Sequence, residues 1–195
     1  MIDFDRKVKR GLPIDDILII DSHCHLGAWA AFHGPKETAE DMLVNMDALG
    51  IDVACISAHA AVGPDYIYGN NLVIETVKKY PERFIGYVTI NPNYPEDIKT
   101  EIERCFKVPQ MKGLKVHPGF HKCTLDYKNY HLAYKEANEI GCPVLMHTWG
   151  IDSVLAAARI AGMYPNANFI MGHAGGNDFR VMEKAAEVVN KHNNL

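Results

Sequence analysis

No apolar run in these 195 residues approaches the roughly 20 needed to cross a bilayer, so the sequence does not read as a membrane protein. The first ten residues, MIDFDRKVKR, are charged and lead into no apolar segment, so no secretory signal is read there and a cytoplasmic location is expected. Excess positive charge is lacking as well. The 20 Lys and Arg stand against 24 Asp and Glu, a net charge of −4 that leaves no broad basic surface for nucleic acid or anionic lipid. A small-molecule substrate is the partner this balance favours. The five cysteines, at 24, 55, 105, 123 and 142, form an odd set without a C-x-x-C pair, which argues against a disulfide framework or a zinc ribbon. Cys55 and Cys142 fall in apolar strand-like runs and are expected in the core. A glycine-rich dinucleotide fingerprint is missing after the first strand, which weakens a dinucleotide-binding reading.

What is present is a regular alternation of strand and helix signals. Hydrophobic residues at 48% and charged residues at 23% are ordinary for a globular protein, and the length suits one domain over 1–195. Residues 1–15 read as an extension with little regular structure. Short apolar runs rich in β-branched residues predict strands at 17–20, 51–57, 84–90, 111–117, 143–147 and 167–173. Apolar residues at helical spacing predict helices over 38–49, with Met42, Met46 and Leu49 inward and Gly50 as the stop, and over 70–80. Further helices are predicted from Pro95 through Cys105 and over 127–140, 151–162 and 178–191. Strands that alternate with helices imply a parallel sheet covered by those helices. Six such units are present, where a closed (β/α)8 barrel has eight. The loop after the first strand carries Trp29, Phe32 and His33, which could line a pocket or simply pack over the barrel end.

The ten histidines are the informative excess. The first strand runs into Asp21-Ser22-His23-Cys24-His25, and the period-two alternation of a strand sends His23 and His25 to one side and Cys24 to the other. Two neutral imidazoles on one side can grip one cation, and imidazole suits zinc, iron, copper or nickel. A single His-x-His also arises by chance on ordinary surfaces. The weight therefore rests on the set: His117, His147 and His173 stand at the ends of the fourth, fifth and sixth strands. In a barrel of parallel strands all carboxyl ends open at one face, so these side chains converge although they are far apart in sequence. Independent core histidines would have no reason to favour the same end of successive strands.

The segments IDSHCH at 20–25, GLKVHP at 113–118, VLMH at 144–147 and FIMGHAGG at 169–176 carry a resemblance in their order and spacing. The chain resembles the amidohydrolase superfamily, in particular its branch of amidohydrolase-related metal-dependent hydrolases. The resemblance implies a distorted TIM-like (β/α)8 barrel, with about six of the eight units in this chain. It implies His23, His25 and His147 as ligands of a divalent metal, zinc first and manganese or iron as alternatives, and His173 as a catalytic group or second-metal ligand. Lys115 sits where binuclear relatives carry a carbamylated lysine that bridges two metals. As a plain cation it would bind a substrate carboxylate, with His117 and Trp149 as further substrate contacts. The aspartate that the family carries after its eighth strand has no counterpart here, and Asp178 is not at the matching place. At most one metal, weakly held, is therefore expected. Two open strand edges predict a homodimer or larger assembly. The function so implied is a metal-dependent hydrolase that acts through a metal-activated water on a small carboxylated or cyclic amide or ester substrate. A decarboxylase of the same branch and a non-catalytic remnant are the alternatives. A phosphoesterase is disfavoured because it would bring more carboxylate ligands.

Overall fold

Six strands, β1 (Ile20–Leu26), β2 (Val53–Ala58), β3 (Phe84–Thr89), β4 (Met111–Val116), β5 (Pro143–His147) and β6 (Asn168–Gly172), form one sheet in sequence order, each parallel to its neighbours. A computed structural model provides these coordinates and describes residues 4–29 and 37–195. The helices are α1 (Phe4–Lys9), α2 (Ala39–Leu49), α3 (His59–Val62), α4 (Tyr66–Lys79), α5 (Ile98–Cys105), α6 (Pro118–His121), α7 (Tyr130–Ile140), α8 (Ile151–Met163) and α9 (Phe179–Val189). Each crossover helix returns the chain to the same end of the sheet, which is what makes the pairing parallel. The sheet curls strongly. His23 on β1 and His173 just after β6 belong to opposite edge strands, yet their ring centroids lie 4.8 Å apart. The result is a curled half-barrel, a partial TIM-type barrel of six β/α units.

Strand alternation sorts the side chains into two layers. Ile56, Val88, Leu114, Val144 and Met146 face outward and pack with Val73, Val77, Ile102, Tyr130 and Tyr134 from the helices. Burying each such side chain stabilises the fold by about 1.5–3 kcal/mol. Cys55, Tyr87 and Leu145 form a separate cluster inside the curl, below the strand ends. The outer layer also contains a satisfied polar pin. Asn70 Nδ2 donates to the Thr89 carbonyl (3.1 Å) and to Glu101 (2.8 Å), Asn70 Oδ1 accepts the Thr89 N–H (2.9 Å), and Arg104 binds Glu101 through two nitrogens (2.7 and 2.8 Å). This pin ties α4, β3 and α5 together.

Several boundaries differ from the sequence reading. The extension expected to be irregular contains α1, and Lys7 bonds back to Asp15 and Asp16. The apolar run at 17–20 is largely exposed, with Ile17 at 40%, Leu18 at 68% and Ile20 at 51%, and the strand is the polar stretch that follows it. Sheet pairing begins only at Ile20, opposite Val53, because β1 is an edge strand whose histidines face the lumen rather than a hydrophobic layer. Helix α4 opens at Tyr66 instead of Asn70 because Asp65 caps it, its carboxylate accepting the Tyr68 N–H (3.1 Å). Pro95 lies in a turn before α5, which starts at Ile98. Met46 is buried as expected, but Leu49 is 61% exposed, and the backbone of Ile14 packs against the helix end at Gly50 instead. Phe32 and His33 lie outside the described residues. Among the described residues no helix is long and apolar enough to cross a membrane.

Candidate metal centre

His23 and His25 project to one side of β1 and bring their Nε2 atoms to 3.2 Å, while Cys24 packs outward against the helix layer. Two nitrogens bound tetrahedrally to one cation at about 2.0–2.1 Å stand roughly 3.3 Å apart. The pair is thus spaced as two ligands of one ion. Ser57 Oγ lies 3.2 Å from His25 Nδ1, so a tautomer protonated at Nδ1 donates to the hydroxyl and leaves the Nε2 lone pair free. His59 stacks on His25 (4.7 Å, 13°), and its Nδ1–H donates to the Gly27 carbonyl (2.7 Å).

The remaining predicted residues gather around this pair. Lys115 is fully buried, with Nζ 3.0 Å from His23 Nε2. His173 packs on His23 (4.8 Å) and on His147 (4.7 Å), and His147 lies in a near-parallel stack with His117 (3.8 Å, 24°). Trp149, 57% exposed, stands over His147 at 6.2 Å and 11°. Trp29 closes the β1 side against His59 (4.3 Å) and Phe120 (5.1 Å). Among the described residues no three His, Cys, Asp or Glu side chains stand at ligating distance from one point. The geometry presents a preset pair, with His147 turned onto His117 rather than toward it.

The electrostatics fit a cation or an anionic ligand. Burial pushes His25 and His117 down to about 2, His23 to about 3 and His147 to about 4, so these rings are neutral and carry lone pairs at neutral pH. Burial likewise lowers His173, and brings the Lys115 amine down to about 7. Asp21 is the nearby acid, and its carboxylate accepts the backbone N–H of His23 (3.0 Å) rather than a ring proton. Nitrogen donors with this little compensating negative charge suit a borderline divalent metal of the kind imidazole binds.

The sequence profile of the amidohydrolase family matches residues 20–195. The chain belongs to the amidohydrolase family. An uncharacterized TIM-barrel protein from Bordetella bronchiseptica aligns at 18% identity and a TM-score of 0.71 over 92% of this chain and 74% of that chain. The 5-carboxyvanillate decarboxylase from Novosphingobium aromaticivorans, complexed with manganese and 4-hydroxy-3-methoxy-5-nitrobenzoic acid, aligns at 18% and 0.69 over 83% of this chain and 66% of its own. A 2,6-dihydroxybenzoate decarboxylase from Rhizobium aligns at 17% and 0.65 over 81% and 67%. These likenesses show the TIM-barrel fold.

Several features of the site escape the sequence motifs. Thr148, fully buried, donates to the Gly172 carbonyl (2.6 Å) and accepts the Gly175 N–H (3.1 Å), clamping the loops after β5 and β6. That clamp adjoins a strained turn, since His173 and Ala174 hold φ of 66° and 48°, a region that costs about 1 kcal/mol per residue or more. Gly172 makes room for the His23 ring, because a Cβ there would lie 3.1 Å from His23 Cε1. Neither Thr148 nor Ser57 carries a motif of its own. The signal available for Ser57 and His59 is positional: both lie at the end of β2 where the other strands place histidines.

Proposed function

We propose that this chain holds one divalent metal on the His23–His25 pair, with His147 turning from its stack on His117 to complete the set, and hydrolyses a small carboxylated substrate. The observation that carries the reading is the 3.2 Å approach of two neutral imidazole nitrogens inside a lumen ringed by further histidines. When bound, the metal supplies Lewis acidity toward a substrate oxygen or a water molecule. Lys115 Nζ bonds to the His23 lone pair that a metal would take, so metal binding leaves that amine to the substrate carboxylate. His173, exposed at the mouth and packed on both His23 and His147, exchanges the proton of the reacting group. Trp149 and Trp29 flank the opening and keep water from a planar substrate.

Decarboxylation is the second reading, and a specific observation favours it. Hydrolysis needs a base for the attacking water, and no Asp or Glu among the described residues hydrogen-bonds to the rings of His23, His25, His117, His147 or His173. Decarboxylation needs only a held carboxylate and a proton delivered to carbon. The similar decarboxylases support this reading, and the manganese in one of them puts manganese beside zinc as the metal to test.

Metal content after loading with zinc or manganese tests the centre. The wild type should retain about one ion per chain by the three-ligand count, and His23→Ala and His147→Ala should lose it. Equal metal in all three proteins overturns the assignment. On a panel of cyclic carboxylic acids, amides and esters, release of CO2 marks decarboxylation, and cleavage of the amide or ester bond by water with the carboxylate retained marks hydrolysis.

A further inference from the structure

A cavity of about 510 Å³ opens beside the ring cluster and shares His147 and Trp149 with it. The segment before α7, with Leu125 and Asp126, forms one wall, and the first turns of α8, with Asp152, Leu155 and Arg159, form the other. Its size falls within the roughly 300–1,000 Å³ of small-molecule sites. The catalytic reading above makes no use of it.

The charges in this cavity are arranged differently from those of the centre. Arg159 Nη2 donates to Asp126 Oδ2 at 2.6 Å, so the one guanidinium already has its carboxylate. Asp152 adds a second acid to the lining, and Trp149, Leu125 and Leu155 supply the apolar surface. An incoming carboxylate would meet the two acids Asp126 and Asp152 and would have to share the one guanidinium, already charge-paired, with Asp126. A hydroxyl or ammonium would find acceptors without breaking anything.

We infer that this cavity seats the non-reacting arm of the substrate, and that it selects an apolar arm ending in a hydrogen-bond donor against one ending in a second carboxylate. The inference rests on the reading of the histidine cluster as the reacting centre, so its test has an arm for each.

The chain has two tryptophans, so Trp29→Phe leaves Trp149 as the sole indole reporter. Fluorescence titration of that protein, metal-loaded, compares 4-(hydroxymethyl)benzoate, 4-(aminomethyl)benzoate and terephthalate, which share a carboxylate for the centre and differ in the arm. The two donor arms should bind at least about tenfold more tightly than terephthalate, a difference of roughly 1.4 kcal/mol. Asp126→Asn, which removes one acid and frees Arg159, should close most of that gap, and Leu155→Phe, which fills the cavity, should weaken both donor arms. Terephthalate binding as tightly as the others in the starting protein overturns the inference, as does an unchanged gap in Asp126→Asn. Titration with 2-phenylethanol probes the cavity without the centre. Its binding with all three benzoates silent supports the cavity while failing the centre, and silence of every probe overturns both.

Discussion

Two of the polar clusters in this half-barrel are built on opposite terms. Between sheet and helices, Asn70, Glu101 and Arg104 satisfy one another and the backbone of Thr89 with short hydrogen bonds. Inside the curl, His23, His25, His117, His147 and Lys115 crowd together as nitrogen donors, with no carboxylate bonded to them among the described residues. A buried network whose charges are matched stabilises a fold, whereas a buried amine bonded only to neutral rings carries an uncompensated desolvation penalty. The first cluster therefore reads as structure. The second is retained at the expense of stability, which is the mark of a site waiting for a ligand.

The comparison breaks most visibly in the outer cluster. Asn70→Ala strips partners from the Thr89 N–H, the Thr89 carbonyl and Glu101 at once, all of them on buried residues. The expected loss is about 3–4 kcal/mol in urea unfolding, with metal affinity unchanged once refolded. In the lumen the sign reverses. Lys115 is fully buried with its amine lowered to about 7 from 10.5, so at pH 7 the fold carries the penalty of a desolvated ammonium. Lys115→Met should stabilise the metal-free protein by about 3 kcal/mol at pH 7 while impairing turnover. A destabilised Lys115→Met protein would show that the amine is satisfied after all.

The same contrast has a pH signature. A histidine whose folded pKa lies below 6.5 binds its proton more readily in the unfolded chain, so its stability contribution is intact above about 6.5 and is lost as pH falls toward the folded value. His25 (about 2) and His23 (about 3) therefore each steepen acid unfolding of the metal-free protein below pH 6.5, by about 1.4 kcal/mol per pH unit per group. For Lys115 the window is about pH 7 to 10.5, where wild-type stability rises with pH and Lys115→Met stays flat. Replacing His25 with Asn should remove about 1 kcal/mol of the loss between pH 6.5 and 5.5. Urea titrations at three pH values check both limbs, and an unchanged acid slope in His25→Asn would mean that the ring titrates alike in both states.

Much of this was legible in the sequence because chemistry and period coincided there. The runs at 143–147 and 151–162 match β5 and α8 within a residue, since PVLMH is apolar up to its histidine and Gly150 and Pro143 punctuate it. The gathering of His23, His25, His117, His147 and His173 followed from strand ends alone, while Lys115 was pointed out by the family resemblance. Less visible was anything decided by tertiary context. ILII reads as a strand by composition, yet the sheet begins after it, because pairing partners and not hydrophobicity fix where an edge strand starts. The outer pin was invisible too. Asn70, Glu101 and Arg104 are ordinary helix-surface residue types, and only the approach of α4 to α5 makes them one network.

The subtlest discriminator is a methyl group. Gly172 has φ −59° and ψ 135°, a conformation alanine adopts freely, so Gly172→Ala carries no backbone penalty and even trims the entropy of the unfolded chain. Its Cβ would sit 2.9 Å from the Met146 carbonyl and 3.1 and 3.4 Å from His23 Cε1 and Nδ1. The carbonyl belongs to the β5–β6 ladder and yields little, so the His23 ring gives way and its Nε2 leaves the 3.2 Å spacing with His25. Relieving the carbonyl contact should cost about 1–2 kcal/mol of stability, while metal affinity falls about tenfold, as it does when a ligand's supporting shell is disturbed. Calorimetric metal titration beside thermal unfolding separates the two quantities. A Gly172→Ala protein that loses more than about 2 kcal/mol of stability but binds metal normally would place that contact with the packing layer, and the division between the two clusters would have to be redrawn at β6.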